Sequence, residues 1–216
     1  MARTVAIGLQ SFETIRQKNV FYVDKTNFIK EWWESEDAVT LITRPRRFGK
    51  TLNLSMVEQF FSVEYENRGE LFEGLSVWND EKYRNIQGSY PVISLSFANV
   101  KETNYINTRK KICQLITNIY SKYSFLLNCD FLSEIDIRYF KRVSEDMDDS
   151  DASLALYQLS DFLYRYYGQK VIILLDEYDT PMQEAYVNGF GMSLLHLPET
   201  YLMPLLRRIH GWNVPL

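Results

Sequence analysis

Five consecutive apolar residues, 171–175, run directly into Asp176 and Glu177. A strand that is apolar at every position has both faces buried. That is the habit of an inner strand in a parallel sheet covered by helices. Acids at the C-terminal end of such a strand fall where open α/β sheets bind their ligands. This feature narrows the fold to the α/β class and marks residues 176 and 177 for chemistry.

The rest of the chain reads consistently with that class. Residues 21–23 are expected to form a short strand. Residues 26–35 predict a helix bearing Phe28, Ile29, Trp32 and Trp33. Residues 39–43 form a β-branched apolar run and predict a second strand. A loop over 44–50 leads into a helix starting at Thr51. Its apolar face is either Leu52, Met56 and Phe60 or Leu54, Val57 and Phe61. Pro91 introduces a strand over 92–97. A helix over 105–123 carries Ile112, Leu115, Ile116, Ile119 and Tyr123. Another carries Leu154, Tyr157, Phe162 and Tyr166 and stops at Gly168. Strands alternating with helices predict an α/β fold with a mostly parallel sheet. The acids between 145 and 151 lack the Ca²⁺-loop spacing. They are expected to be solvated and to favour a helix N-terminus.

Composition limits the available chemistry. The two His residues are 196 and 210, so residues 1–190 must work without imidazole. Two Cys, 113 and 129, exclude a disulfide framework or a Cys-rich zinc module. A net charge of −4 argues against a protein that coats nucleic acid. No apolar run approaches the ~20 residues of a membrane span, and no secretory signal is visible, so a cytoplasmic location is expected.

Phe48, Gly49, Lys50 and Thr51 stand between an expected strand and an expected helix, the context of a phosphate-binding loop. Amide N–H groups at a helix N-terminus face an anion, and the helix dipole favours it. Arg46, Arg47, Phe48, Gly49, Lys50, Thr51 and Leu52 are the expected nucleotide-binding residues. Lys50 would reach the β- and γ-phosphates and serve the chemistry. Thr51 and Asp176 would hold Mg²⁺, and Glu177 would orient and deprotonate the attacking water. The pattern departs from the usual one at its start. Arg44 takes the place of the leading glycine, and Pro45 stiffens the loop. Two half-signals in the right order, each on the right element, predict a P-loop NTPase using ATP and Mg²⁺.

Residues 43–53, from Thr43 through Gly49, Lys50 and Thr51 to Asn53, resemble the hallmark of the AAA-ATPase-like family. So do Ile7 to Phe12, Tyr22 to Thr26, Pro91 to Ile93, and Leu174 to Pro181. The resemblance runs from about residue 5 to Phe190. An Arg at the leading-glycine position is that family's own habit. The resemblance implies a P-loop NTPase of the additional-strand, catalytic-Glu type, a three-layer αβα sandwich with a mostly parallel sheet. It also implies a C-terminal PD-(D/E)XK nuclease-like domain, for which this sequence has no room. The segments around Phe12 and residues 22–25 are expected to flank the adenine, with a plain core aromatic as the alternative for Tyr22.

Residues 191–216 depart from the family and are expected to be an aberrant, frameshifted tail after an ATPase-like portion spanning 1–190. Back-translated and read one base out of register, they spell a sequence similar to the family's continuation. The sheet is then expected to be incomplete, lacking a strand between residues 39–43 and 171–175, and hydrolysis is expected to be weak or absent. The leading function is an ATP-binding domain of an AAA-like ATPase. One alternative is a non-hydrolysing nucleotide-binding regulatory or interaction module. The other is a DNA-associated partner of a nuclease domain, with Arg44, Arg46, Arg47, Arg109, Lys110 and Lys111 as its basic groups. No membrane partner is expected.

Overall fold

The computed structural model describes Val5, residues 8–43, Pro45 and residues 48–191. Ile7, Arg44, Arg46, Arg47 and all of the expected tail except Gly191 lie outside the described residues. The chain divides into two compact units. The first contains Met1–Ser94 and Ile172–Asp176; the second contains Leu95–Val171 and Glu177–Leu216.

The first unit carries helices α1 (Phe12–Gln17), α2 (Asn27–Ser35), α3 (Lys50–Phe61) and α4 (Glu81–Ile86). Three 3-10 turns lie between α3 and α4. Strand β1 (Val92–Ser96) begins in this unit, and β2 (Ile172–Asp176) returns to it after the second unit's first segment. The two strands form a small parallel sheet.

The core is aromatic and centres on α3. Both apolar stripes of that helix are used: Met56, Val57, Phe60 and Phe61 are buried, and Leu52 and Leu54 pack partly buried beside them. Phe60 meets Phe61 and Phe72 edge-on at 4.9 and 5.0 Å, and Trp33 stacks on Phe61 at 5.1 Å. Arrangements of this kind suit the ring quadrupoles and add to the area buried. Truncating Phe60 to Ala is expected to cost about 3–5 kcal/mol, read by urea unfolding.

Two expected strands are not formed. Residues 21–23 and 39–43 are irregular among the described residues. Phe21, Val23, Val39 and Leu41 are each more than half exposed. An extended apolar segment becomes a strand only where a neighbour pairs its backbone groups. No described segment pairs with either one. The α/β class holds. The described sheet has two strands, short of the full three-layer sandwich.

β2 also differs from expectation in burial. Ile172 and Leu174 are buried, whereas Ile173 and Leu175 are half-buried. α3 packs against this strand.

In the second unit, α5 (Tyr105–Lys122) packs with α7 (Asp149–Tyr167), followed by α8 (Thr180–Val187). α6 (Glu134–Arg142) starts on a capping box in which Ser133 and Asp136 bond reciprocally. The buried face of α7 is Ala152, Ala155, Leu156, Leu159, Phe162 and Leu163; Tyr166 is exposed. The expected register therefore held only at Phe162. Gly168 ends the helix at φ 66°, as a left-handed stop requires.

The acidic stretch before α7 is spent on local structure. Asp148 caps the helix by accepting from the Asp151 amide, and Asp149 accepts from Arg109 Nε at 2.6 Å. Asp151 pairs with Arg142, and Lys110 stands within 4.0 Å of both Glu145 and Asp146. Arg109 and Lys110 of α5 thus face acids of their own unit.

Candidate functional site

The site grows from the start of α3. Gly49 precedes the helix at φ 74°, ψ 24°, a left-handed conformation that a side chain would strain. Its carbonyl accepts the first helical bond from Asn53 at 2.9 Å. No side chain caps this N-terminus, and no acid sits in its first turn. The amides of the first helical turn precede the intrahelical ladder, so they are donors available to an anion.

Thr51 stands on that first turn. Its Oγ1 donates to Asp176 Oδ2 at 2.8 Å. Asp176 is the last residue of β2, 125 positions later in sequence. The contact is possible because α3 packs on β2 and begins at the end where β2 finishes. A hydroxyl and a carboxylate held together offer two hard oxygen donors, the ligand type that Mg²⁺ prefers. Among the described residues no group of three or more His, Cys, Asp or Glu could hold a metal by itself. An ion here would take its remaining ligands from phosphate and water.

Lys50 and Leu52 are half-buried on the same turn, and Phe48 is exposed. Glu177 follows Asp176 and opens the second segment of the second unit, with φ 48°. A left-handed, non-glycine backbone costs about 1–3 kcal/mol and is held in place by its surroundings. Here the surroundings are the start of α8. Thr180 N–H donates to the Glu177 carbonyl at 3.0 Å, and Thr180 Oγ1 donates to Glu177 Oε2 at 3.2 Å.

Phe12 does not offer a face to an adenine. It is fully buried, stacks on Phe72 at 5.1 Å, and its amide donates to Ser55 Oγ at 3.1 Å. Tyr22 packs edge-on against Phe12, and its hydroxyl donates to Met56 Sδ at 3.3 Å. Desolvation pushes the Tyr22 phenol up to about 12. The core-aromatic reading of Tyr22 is the one the packing supports.

Sequence reasoning missed the anchoring role of Asp24. Its carboxylate accepts from Ser76 N and Oγ at 2.8 and 2.6 Å, and from Thr26 N and Oγ1 at 2.8 and 2.7 Å. Burial alone would raise its pKa, but these four bonds outweigh burial and hold it below the ordinary value. A depressed carboxyl contributes stability that is full above the unfolded pKa and lost as pH falls through the folded one. Asp24→Ala is expected to cost about 1 kcal/mol at pH 7, because the group is partly exposed. The difference from wild type should vanish in urea titrations run below the folded pKa.

The chain belongs to the AAA-ATPase-like family, described as "Predicted AAA-ATPase", whose model matches residues 6–202. The match continues twelve residues beyond Phe190, where the resemblance is expected to end. A protein of Azotobacter chroococcum mcd 1, named "Uncharacterized protein in vnfD 5'region", is 27% identical over 181 residues. The alignment covers 83% of this chain and 30% of that relative, so the chain spans under a third of the relative's length. No solved structure matches. No helix among the described residues is long and apolar enough to cross a membrane.

Proposed function

We propose that the chain binds a nucleoside triphosphate, ATP in the family reading, together with Mg²⁺ at the start of α3 and the end of β2. The observation that carries this is the Thr51–Asp176 hydrogen bond at 2.8 Å. Chance rarely joins a hydroxyl just after Gly49 and Lys50 to the acid that ends an apolar strand. A metal held there would offset phosphate charge. The uncapped amides of α3 and the Lys50 ammonium would hold the phosphates.

Hydrolysis is the further step. Water attacks the γ-phosphorus and the bond to the β-phosphate oxygen breaks, leaving ADP and phosphate. Glu177 orients the water and takes its proton. A non-hydrolysing nucleotide module is the second reading. It is favoured by one observation, that the Glu177 carboxylate is already engaged by Thr180 Oγ1.

The test is calorimetric titration of the purified chain with ATP and Mg²⁺. Lys50→Ala is expected to weaken binding by about 10–100-fold, the loss of one or two charge-assisted hydrogen bonds. Equal affinity in both proteins would remove the nucleotide site from this loop.

A further inference from the structure

Lys25 is exposed, yet its ammonium is aimed at the phosphate loop. A β-carbon built on Gly49 would lie 3.8 Å from Lys25 Nζ. Among the described residues that ammonium has no ion-pair partner. From this we infer that Lys25 is a second phosphate-binding lysine, reaching the same polyphosphate as Lys50 from a different part of the chain. The inference rests on the nucleotide reading above.

The backbone around Lys25 is built to hold it there. Its amide donates to the Tyr22 hydroxyl at 3.4 Å, and its carbonyl accepts from the Phe28 amide at 3.0 Å. Asp24, the residue before it, is tied to Ser76 and Thr26 by the four bonds described above. Thr26, the residue after it, is fully buried, and its hydroxyl also accepts from the Val77 amide at 3.1 Å. Fixed neighbours on both sides limit Lys25 to side-chain freedom alone.

The electrostatics point the same way. An ammonium beside the N-terminus of a helix meets the positive end of the dipole, which is unfavourable. Lys50, one residue into the helix, adds a second positive charge. The nearest carboxylate in sequence, Asp24, already accepts four hydrogen bonds. Asp176 accepts from Thr51. A polyphosphate at the loop turns this repulsion into attraction, since each ammonium then faces a dense negative charge.

The test is binding of ATP with Mg²⁺, and of inorganic tripolyphosphate, to wild type, Lys25→Ala, Lys25→Arg and Lys50→Ala. Thermal melting without ligand serves as the folding control. Lys25→Ala is expected to weaken both ligands by about tenfold, with the ligand-free melt unchanged or slightly raised as repulsion at the helix start is relieved. Lys25→Arg should recover most of that loss, which a merely structural defect would not do. Lys25→Ala binding like wild type, while Lys50→Ala fails, would overturn the role of Lys25 and leave the nucleotide reading standing. Wild type that binds neither ligand would overturn both. If Lys25→Ala lowers the ligand-free melt, the Lys25→Arg comparison decides: no recovery of binding counts against the inference.

Discussion

Replacing Glu177 by Gln is expected to leave the affinity for ATP and Mg²⁺ within about twofold while lowering turnover by about 10²–10⁴, the range for a lost general base. The substitution keeps size and hydrogen-bond acceptance. Thr180 Oγ1 can still donate to the side-chain oxygen, now at an amide in place of the carboxylate Oε2 contact of 3.2 Å. The left-handed backbone at φ 48° is retained too, so stability should not move. What disappears is the capacity to take a proton. Steady-state phosphate release and a binding titration, run on the same preparation, separate the two quantities. Turnover that survives the change would reduce Glu177 to a partner of Thr180 at the start of α8. Glu177→Gly is the informative companion, because it removes both the carboxylate and the strain. It should stabilise the fold by up to about 1 kcal/mol while also losing turnover.

The second large effect is structural. Gly88 sits at φ 68°, and a β-carbon there would lie 2.3 Å from Glu66 Cα and 2.9 Å from Glu66 N. Both obstacles are backbone, so no rotamer change relieves them. The segment could escape only by lifting off the end of α3. That would break Gly88 N–H to Phe60 O at 2.8 Å, Tyr90 N–H to Phe61 O at 2.9 Å, and Val63 N–H to Tyr90 O at 2.9 Å. Gly88→Ala is therefore expected to cost about 3–5 kcal/mol, combining overpacking, positive φ and lost bonds. For a chain of this size that lowers the melting temperature by about 6–20 °C. Calorimetry would show it. A loss under about 1 kcal/mol would mean that the 88–90 segment yields without leaving α3.

What the sequence discloses follows the range of the interactions involved. The start of α3 is legible because Gly49 and Lys50 act locally, one as a left-handed turn before the helix and the other as a helix former. β2 is legible because five apolar residues ending in acids have few other uses. The Asp148 cap and the Gly168 stop of α7 are short-range signals of the same kind. Residues 39–43 mislead because a strand's existence depends on a distant neighbour, which β-branching cannot reveal. The register of α7 misleads because Tyr157 and Tyr166 look apolar, while the small Ala152 and Ala155 do the close packing. Phe12 belongs to a family signature and could be taken for a ligand contact; only its burial shows that it fills the core. At the site, residue types predicted Thr51 and Asp176 separately. That they touch is tertiary information. The approach of Lys25 to Gly49 has no sequence signal beyond membership in the Tyr22–Thr26 motif.

The Thr51–Asp176 contact also sets a clock on biosynthesis. The two oxygens are 125 residues apart, and the whole first segment of the second unit is made between them. At about 5–20 residues per second, Thr51 is added to the chain roughly 6–25 s before Asp176. During that interval the nascent chain has a glycine-capped helix and a lysine but no carboxylate opposite them. The Thr51 hydroxyl has no Asp176 to donate to until then. The last residue of β2 is thus the moment at which a growing polypeptide acquires the carboxylate partner of Thr51.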